Sequence, residues 1–145
     1  MEFTVHIPFV EMVGLELISC DAGRAELAIS MREELTNSYS VAHGGVSMTL
    51  LDVAMAHAAR SPNQPGHPTS TGVVTIEMKT SFMRPGVGRL VGRATLLHRT
   101  ASMAFCEASL FDEADQIVAQ ATGTFKYTRG LSVGDKKIQR LNGSD

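Results

Sequence analysis

The stretch from Val46 to Ala59 limits what this chain can fold into more than any other. Val46, Met48, Leu50, Leu51, Val53, Ala54, Met55, Ala56, Ala58 and Ala59 put apolar side chains on every side of a helix running to about Arg60. A helix that is apolar all round has to be buried. It follows a loop, Asn37-Ser38-Tyr39-Ser40-Val41-Ala42-His43, that turns into it through Gly44 and Gly45. Yet the helix carries Asp52, with no basic residue within four positions on either side. Burying an unpaired carboxylate is costly, so something near Asp52 must need it. The remainder of the chain reads as the material that wraps this helix.

At 145 residues the chain is one domain, here taken as residues 1–130, with a polar C-terminal tail over 131–145. A net charge of −2 with no lysine or arginine run argues against nucleic acid as a partner. Tryptophan is absent and aromatics are few, which removes a base-stacking platform as well. Cys20 and Cys106 form no CxxC and have no histidine at metal spacing, so they read as free thiols of a reducing compartment, with no metal implied. Met1 to Pro8 shows no basic leader, and the apolar run 46–59 is too short for a membrane span and is broken by Asp52 and His57. These features predict a cytoplasmic protein with no membrane partner.

Pro8 to Gly14 starts on proline and stops on glycine, which predicts a short helix with Phe9, Val10 and Val13 on its apolar face. Leu15–Ser19 and Arg24–Ser30 alternate as strands about a turn at Cys20-Asp21-Ala22-Gly23. Beyond the buried helix, Ser61 to Pro68 holds three of the five prolines and is a loop. Four strands follow: Val73–Met83, Leu90–His98, Ser102–Phe111 and Ile117–Tyr127. In the first, period two places Ile76, Met78 and Phe82 on one face and Thr75, Glu77, Lys79 and Ser81 on the other. Short connections at Arg84-Pro85-Gly86, Arg99-Thr100-Ala101 and Asp112–Asp115 predict antiparallel hairpins. Ala119, Ala121 and Gly123 make a row of small residues against which the helix can rest. The fold class is therefore α+β: a curled antiparallel sheet of five to six strands around one long central helix. A single sheet covered on one face leaves its other face or edge to bury, which predicts an oligomer.

Gly44 and Gly45 let the backbone approach a ligand closely. The first N–H groups of the helix lack intrahelical partners, and its dipole adds partial positive charge there. That end suits an oxyanion such as a polarised thioester or ester carbonyl. Asn37 and His43 can orient a carbonyl or hold the loop, and Asp52 can act as nucleophile or activate a water. Gly44 and Asp52, eight residues apart, lie about 12 Å apart along the helix. One carbonyl cannot reach both, which predicts that the Gly44 of one subunit meets the Asp52 of another. Taken singly, each feature has a plainer reading: a tight Gly-Gly turn, a structural histidine, a carboxylate satisfied by Thr49.

The spacing of Asn37, His43-Gly44 and Asp52 (N-x5-HG-x7-D) resembles the hotdog-fold acyl-CoA thioesterases, specifically the phenylacetate-pathway branch of the 4-hydroxybenzoyl-CoA thioesterase superfamily. The short helix ending at Gly14, the run Phe82-Met83-Arg84-Pro85 and the closing Gly123-Thr124-Phe125-Lys126 extend the likeness over roughly Phe9 to Thr128. The resemblance implies hydrolysis of acyl-CoA to free acid and CoA without a cofactor, in a homodimer usually paired again into a tetramer. It implies Asp52 as nucleophile or general base and Gly44 N–H as oxyanion donor. Asn37 would position the water or thioester, His43 would support the carbonyl site, and Thr75 would help hold the water. CoA contacts would fall on Arg84, Pro85, His98, Arg99 and Ser102, with Lys126 or Arg129 as further phosphate contacts; for each basic residue a solvated surface charge is an equal alternative. Met48, Leu51, Met55 and the Ser61–Pro68 loop would line the acyl pocket, with Gly45 a further substrate contact at the helix start; a medium-chain and an aromatic acyl group both fit this reading.

Other readings compete. An enoyl-CoA hydratase would use an aspartate and a histidine five apart, as Asp52 and His57 are, but Val53-Ala54-Met55-Ala56 stands where an asparagine-proline pair belongs. The two side chains would also point about 140° apart on a regular helix. A non-catalytic acyl-CoA-binding module would usually carry a DNA-binding segment, and none precedes Pro8. A purely structural oligomer leaves Asp52 unexplained.

Overall fold

The computed structural model describes residues 1–65, 72–128, 131–133 and 136–138. The chain runs α1 (Pro8–Val13), β1 (Glu16–Asp21), β2 (Arg24–Ser30), α2 (Gly44–Ala59), β3 (Gly72–Phe82), β4 (Arg89–Arg99), β5 (Met103–Phe111) and β6 (Ile117–Thr128). A 3-10 turn at Glu33–Leu35 leads into the loop before α2. Six strands form one antiparallel sheet in the order β1-β2-β4-β5-β6-β3, and α2 lies across its concave face. Two short strands, β7 (Leu131–Val133) and β8 (Lys136–Ile138), pair within the segment read from sequence as a tail. Residues 139–145 lie outside the described residues, as do Arg129 and the 66–71 part of the loop after α2.

Burial agrees with an all-round apolar helix. Leu50, Leu51, Ala54, Met55, Ala58 and Ala59 are fully enclosed by the sheet. At Gly92 of β4 the helix occupies the space of a side chain: a Cβ there would stand 2.1 Å from Leu50 Cδ2. Gly123 on β6 leaves room for Met55 in the same way, and Ala119 and Ala121 are buried beside it. Small residues at these points let helix and sheet pack at native density without voids.

Two sequence expectations are corrected. The β3–β4 connection does not close a hairpin: β3 pairs with β6, and β4 with β2 and β5. Three inter-strand spacings of about 4.8 Å separate β3 from β4, a gap that six extended residues at about 3.3 Å each can bridge. Residues 83–88 do so across the sheet end, tied by Met83 N–H to Val118 O, Ala42 N–H to Gly86 O and Met31 N–H to Gly88 O. In α1, Val10 and Val13 are buried, but Phe9 points outward at 55% exposure. A helix of six residues offers the sheet only one narrow face.

The alternation of β3 also differs from a strict period of two. Thr75 pairs with Phe125 and Glu77 with Thr124, so Ile76 is an extra, bulged residue. A bulge inverts the faces on either side of it. Val73 and Thr75 before it therefore share the helix-facing side with Met78, Thr80 and Phe82 after it, opposite the buried Tyr127, Phe125, Gly123, Ala121 and Ala119.

Candidate active site

α2 and β3 run side by side, and the seam between them carries polar chemistry at both ends. At one end the Thr75 hydroxyl donates to Asp52 Oδ1 at 2.7 Å. Burial pushes the Asp52 carboxyl above its ordinary range, and the Thr75 hydrogen bond pulls in the opposite direction. Thr49 does not satisfy Asp52; its hydroxyl donates back to Gly45 O, one turn up the helix. Asp52 opens onto a cavity of about 560 Å³. Val53, Ala56, His57 and Arg60 of α2, Gly72–Thr75 of β3 and Val5–Pro8 with Val10 of the N-terminal segment line it.

At the other end the helix start is closely accounted for. His43 is the N-cap: its Nδ1 accepts from Gly45 N–H at 2.9 Å, and its carbonyl accepts from Val46 and Ser47. That bond makes Nδ1 an acceptor, so the neutral ring carries its proton on Nε2. His43 N–H itself donates to Leu35 O. Among the described residues, Gly44 N–H is left as the one donor of the first turn without a partner. The Phe82 ring sits over Gly44, 3.4 Å from where a Cβ would be.

Asn37 builds the loop in front of this helix end. Its Oδ1 accepts from Tyr39 N–H at 2.9 Å and from Val41 N–H at 3.4 Å, while its own N–H donates to Val41 O. Two backbone donors on one side-chain oxygen settle which end of the amide is which, and they leave Nδ2 as a donor. Arg84 and Pro85 lie beside this end, with the Arg84 guanidinium on Ile117 O and the next residue, Gly86, packed against Ala42.

Other residues named from the sequence lie elsewhere. Leu51 and Met55 are sealed in the core, and the cavity at Asp52 opens from a neighbouring stripe of the helix. Met48 is half-buried and Gly45 is exposed, its N–H engaged by His43. Arg99 braces the groups at the far end of α2: it stacks 3.8 Å over the Tyr127 ring and donates to Gln64 Oε1. Gln64 Nε2 and the Tyr127 hydroxyl in turn donate to Ala59 O. A cation at a helix C-terminus is favourable there in its own right. His98 stacks on Phe105 at the surface, Ser102 belongs to the exposed β4–β5 turn, and Lys126 projects from β6.

His57, five residues from Asp52, shares the cavity wall with it, but both of its ring nitrogens are engaged. Nδ1 bonds Val53 O at 2.8 Å and Nε2 faces Arg60 Nη2 at 3.1 Å. Burial and the Arg60 charge lower its pKa to about 4, so the ring is neutral near pH 7. The N-terminal segment's part in this cavity escapes a sequence reading. The i, i+4, i+8 spacing of Asp52, Ala56 and Arg60 was a visible signal for the helix side of it.

A curled antiparallel sheet on one central helix, with an open amide at the helix start and a half-buried carboxylate further along it, defines the hotdog class. The chain belongs to the thioesterase superfamily, whose family model matches residues 39–119, and is accordingly a thioester hydrolase. It is similar to the medium/long-chain acyl-CoA thioesterase YigI of Salmonella typhimurium, at 28% identity over 85% of this chain and 87% of that one. It is also similar to the acyl-coenzyme A thioesterase PaaI of Escherichia coli, at 25% identity over 85% and 84% of the two chains. Among solved structures, the conserved protein PA5202 of Pseudomonas aeruginosa superposes with a TM-score of 0.78 at 31% identity, covering 86% of this chain and 96% of its own. Among the described residues no helix is long and apolar enough to cross a membrane.

Proposed function

We propose that this protein hydrolyses acyl-CoA thioesters to a free acid and CoA. The observation that carries the reading is the pairing on α2 of a half-buried carboxylate, Asp52, with an unpartnered helix N-terminal amide, Gly44. The acyl-CoA thioesterases YigI and PaaI, to which the chain is similar, support acyl-CoA as the substrate class. In this reading Gly44 N–H and the helix dipole stabilise the oxyanion that forms when the thioester carbonyl is attacked. Asp52 supplies the carboxylate that attacks the carbonyl carbon, directly or through an activated water, and the CoA thiolate leaves. A carboxyl with a raised pKa is the better base for that step. Thr75 orients Asp52, Asn37 Nδ2 donates toward the substrate, and His43 holds the helix start so that Gly44 N–H stays exposed.

In this reading each site is shared between the two copies of a homodimer, which the distance of about 12 Å between Gly44 and Asp52 along one helix supports. The edge strand supports this: β3 is eleven residues long and leaves Ile76 and Phe82 at 54% and 53% exposure, with Met83 just beyond it at 50%. A long edge strand with exposed apolar side chains is a template for pairing with a second copy. Further pairing into a tetramer, a cytoplasmic location and a place in the phenylacetate branch go with the N-x5-HG-x7-D resemblance.

A mixing experiment tests the shared site. Gly44→Pro removes the amide hydrogen and adds a ring whose Cβ would stand 3.4 Å from the Phe82 ring; proline suits the first helical position, and His43, at φ −62° and ψ 138°, already has the backbone that precedes a proline. Gly44→Pro and Asp52→Ala homodimers are each expected to be inactive in thiol release from acyl-CoA. Refolded together, they regain turnover, since one of the two sites in a mixed dimer is intact. Full activity of either variant alone, or no recovery on mixing, overturns the assignment.

A further inference from the structure

We infer that the cavity beside Asp52 receives the acyl chain, and that Ala56 sets how long a chain it admits; this rests on the reading of Asp52 as the group that meets the thioester. Asp52, Ala56 and Arg60 stack at successive turns on one stripe of α2, all three facing the cavity. The carboxylate marks the end where the carbonyl stands. Ala56 follows one turn on, and its single methyl leaves the middle of the cavity open. At about 12 Å from Asp52 the stripe ends at Arg60, whose Nη2 lies 3.1 Å from His57 Nε2.

The rest of the lining is largely apolar, with His6, His57 and Thr75 as its polar members. Ile7, Pro8 and Val10 of the N-terminal segment close one side and Val73 of β3 another. A volume of about 560 Å³ falls within the range of about 300–1,000 Å³ that holds a small-molecule ligand. An unbranched apolar chain that stops short of Arg60 buries only methylenes against these walls. A longer one has to carry hydrocarbon past a guanidinium and an engaged imidazole, displacing polar groups that it cannot pair. The substrate class is therefore apolar acyl groups of medium length. Their specificity is set by α2 and the N-terminal segment, with the enclosed Leu51 and Met55 taking no part.

Binding and turnover separate this inference from the catalytic reading. S-methyl-, S-hexyl- and S-decyl-CoA thioethers cannot be hydrolysed, so their affinities for the full-length protein report the pocket alone. Each methylene buried is worth roughly fourfold in affinity, and the wild type is expected to gain at least about tenfold from methyl to hexyl. Ala56→Leu fills the middle of the cavity and should erase that gain while leaving the methyl compound unaffected. Ala56→Gly, which cannot overpack, should move the optimum toward the decyl compound. Wild-type affinity independent of chain length, or a length profile that neither variant changes, overturns the inference. A length profile that both variants shift, in a protein that cleaves no acyl-CoA, keeps the pocket and overturns the thioesterase reading instead.

Discussion

The Thr75 hydroxyl reaches Asp52 Oδ1 at 2.7 Å across the seam between α2 and the edge strand β3, twenty-three residues apart in the chain. The bond favours the ionised carboxylate, whereas burial favours the protonated one. Asp52→Ala is expected to lower kcat by at least about a hundredfold. Thr75→Val should lower it less and should move the acid limb of the kcat/KM profile to higher pH, because the group that held the Asp52 pKa down is gone. Thr75→Ser should restore the limb. An acid limb that stays put in Thr75→Val would show that Asp52 is not the titrating group.

Asp52 also costs stability at neutral pH. Its folded pKa lies above its unfolded value, so the folded state binds its proton more tightly, and that contribution is lost as pH rises through the folded pKa. Asp52→Asn should therefore melt at a higher temperature than wild type at pH 7. The difference should vanish as pH falls below the ordinary carboxylate range. Equal melting temperatures at both ends of the titration would argue against a buried charge.

His57 works in the other direction. Its pKa of about 4 lies below the ordinary 6.5, so the unfolded chain takes up the proton first and stability falls as pH drops from about 6.5 to about 4. The full effect is on the order of 3 kcal/mol. Urea midpoints measured across that window should decline steeply for wild type and more gently for His57→Gln.

Gly92 sets how close α2 comes to the sheet. A Cβ there would meet Leu50 Cδ2 at 2.1 Å, and Leu50 is fully buried. Gly92→Ala is expected to destabilise by about 1–3 kcal/mol through overpacking. Combined with Leu50→Ala, the two changes should cost less than their sum, since each relieves the other. Strict additivity in denaturant unfolding would show that the two residues do not compete for the same space.

His43 caps α2 through its Nδ1 on Gly45 N–H. His43→Ala should lose about 1 kcal/mol of stability along with activity. His43→Ser, with a side chain that also caps, should recover both toward wild type. Recovered stability without recovered turnover would assign the imidazole a direct part in the chemistry.

Much of this architecture was legible in the residues. Local patterning carries helix and strand signals, so the bounds of α2 and of the strands fall within two residues of the pattern. The apolar run from Val46 to Ala59 dictated a buried helix, and the lone Asp52 within it marked the site proposed here. The His43-Gly44-Gly45 junction marked the second polar end. What only the tertiary structure decided depends on pairings between distant residues. Period two put Thr75 on the face away from Met78. The register of β3 against β6 inserts Ile76 as a bulge and turns Thr75 onto Asp52. Arg99 was readable as a CoA contact or as a solvated surface cation; the structure instead shows it stacked on Tyr127 and donating to Gln64 beside the end of α2. The cavity at Asp52 is likewise made by residues 5–10 meeting residues 52–60 and 72–75. Spacing along the chain reports which side chains share a face of one element. Which element that face meets is set by the packing of the whole sheet around the helix.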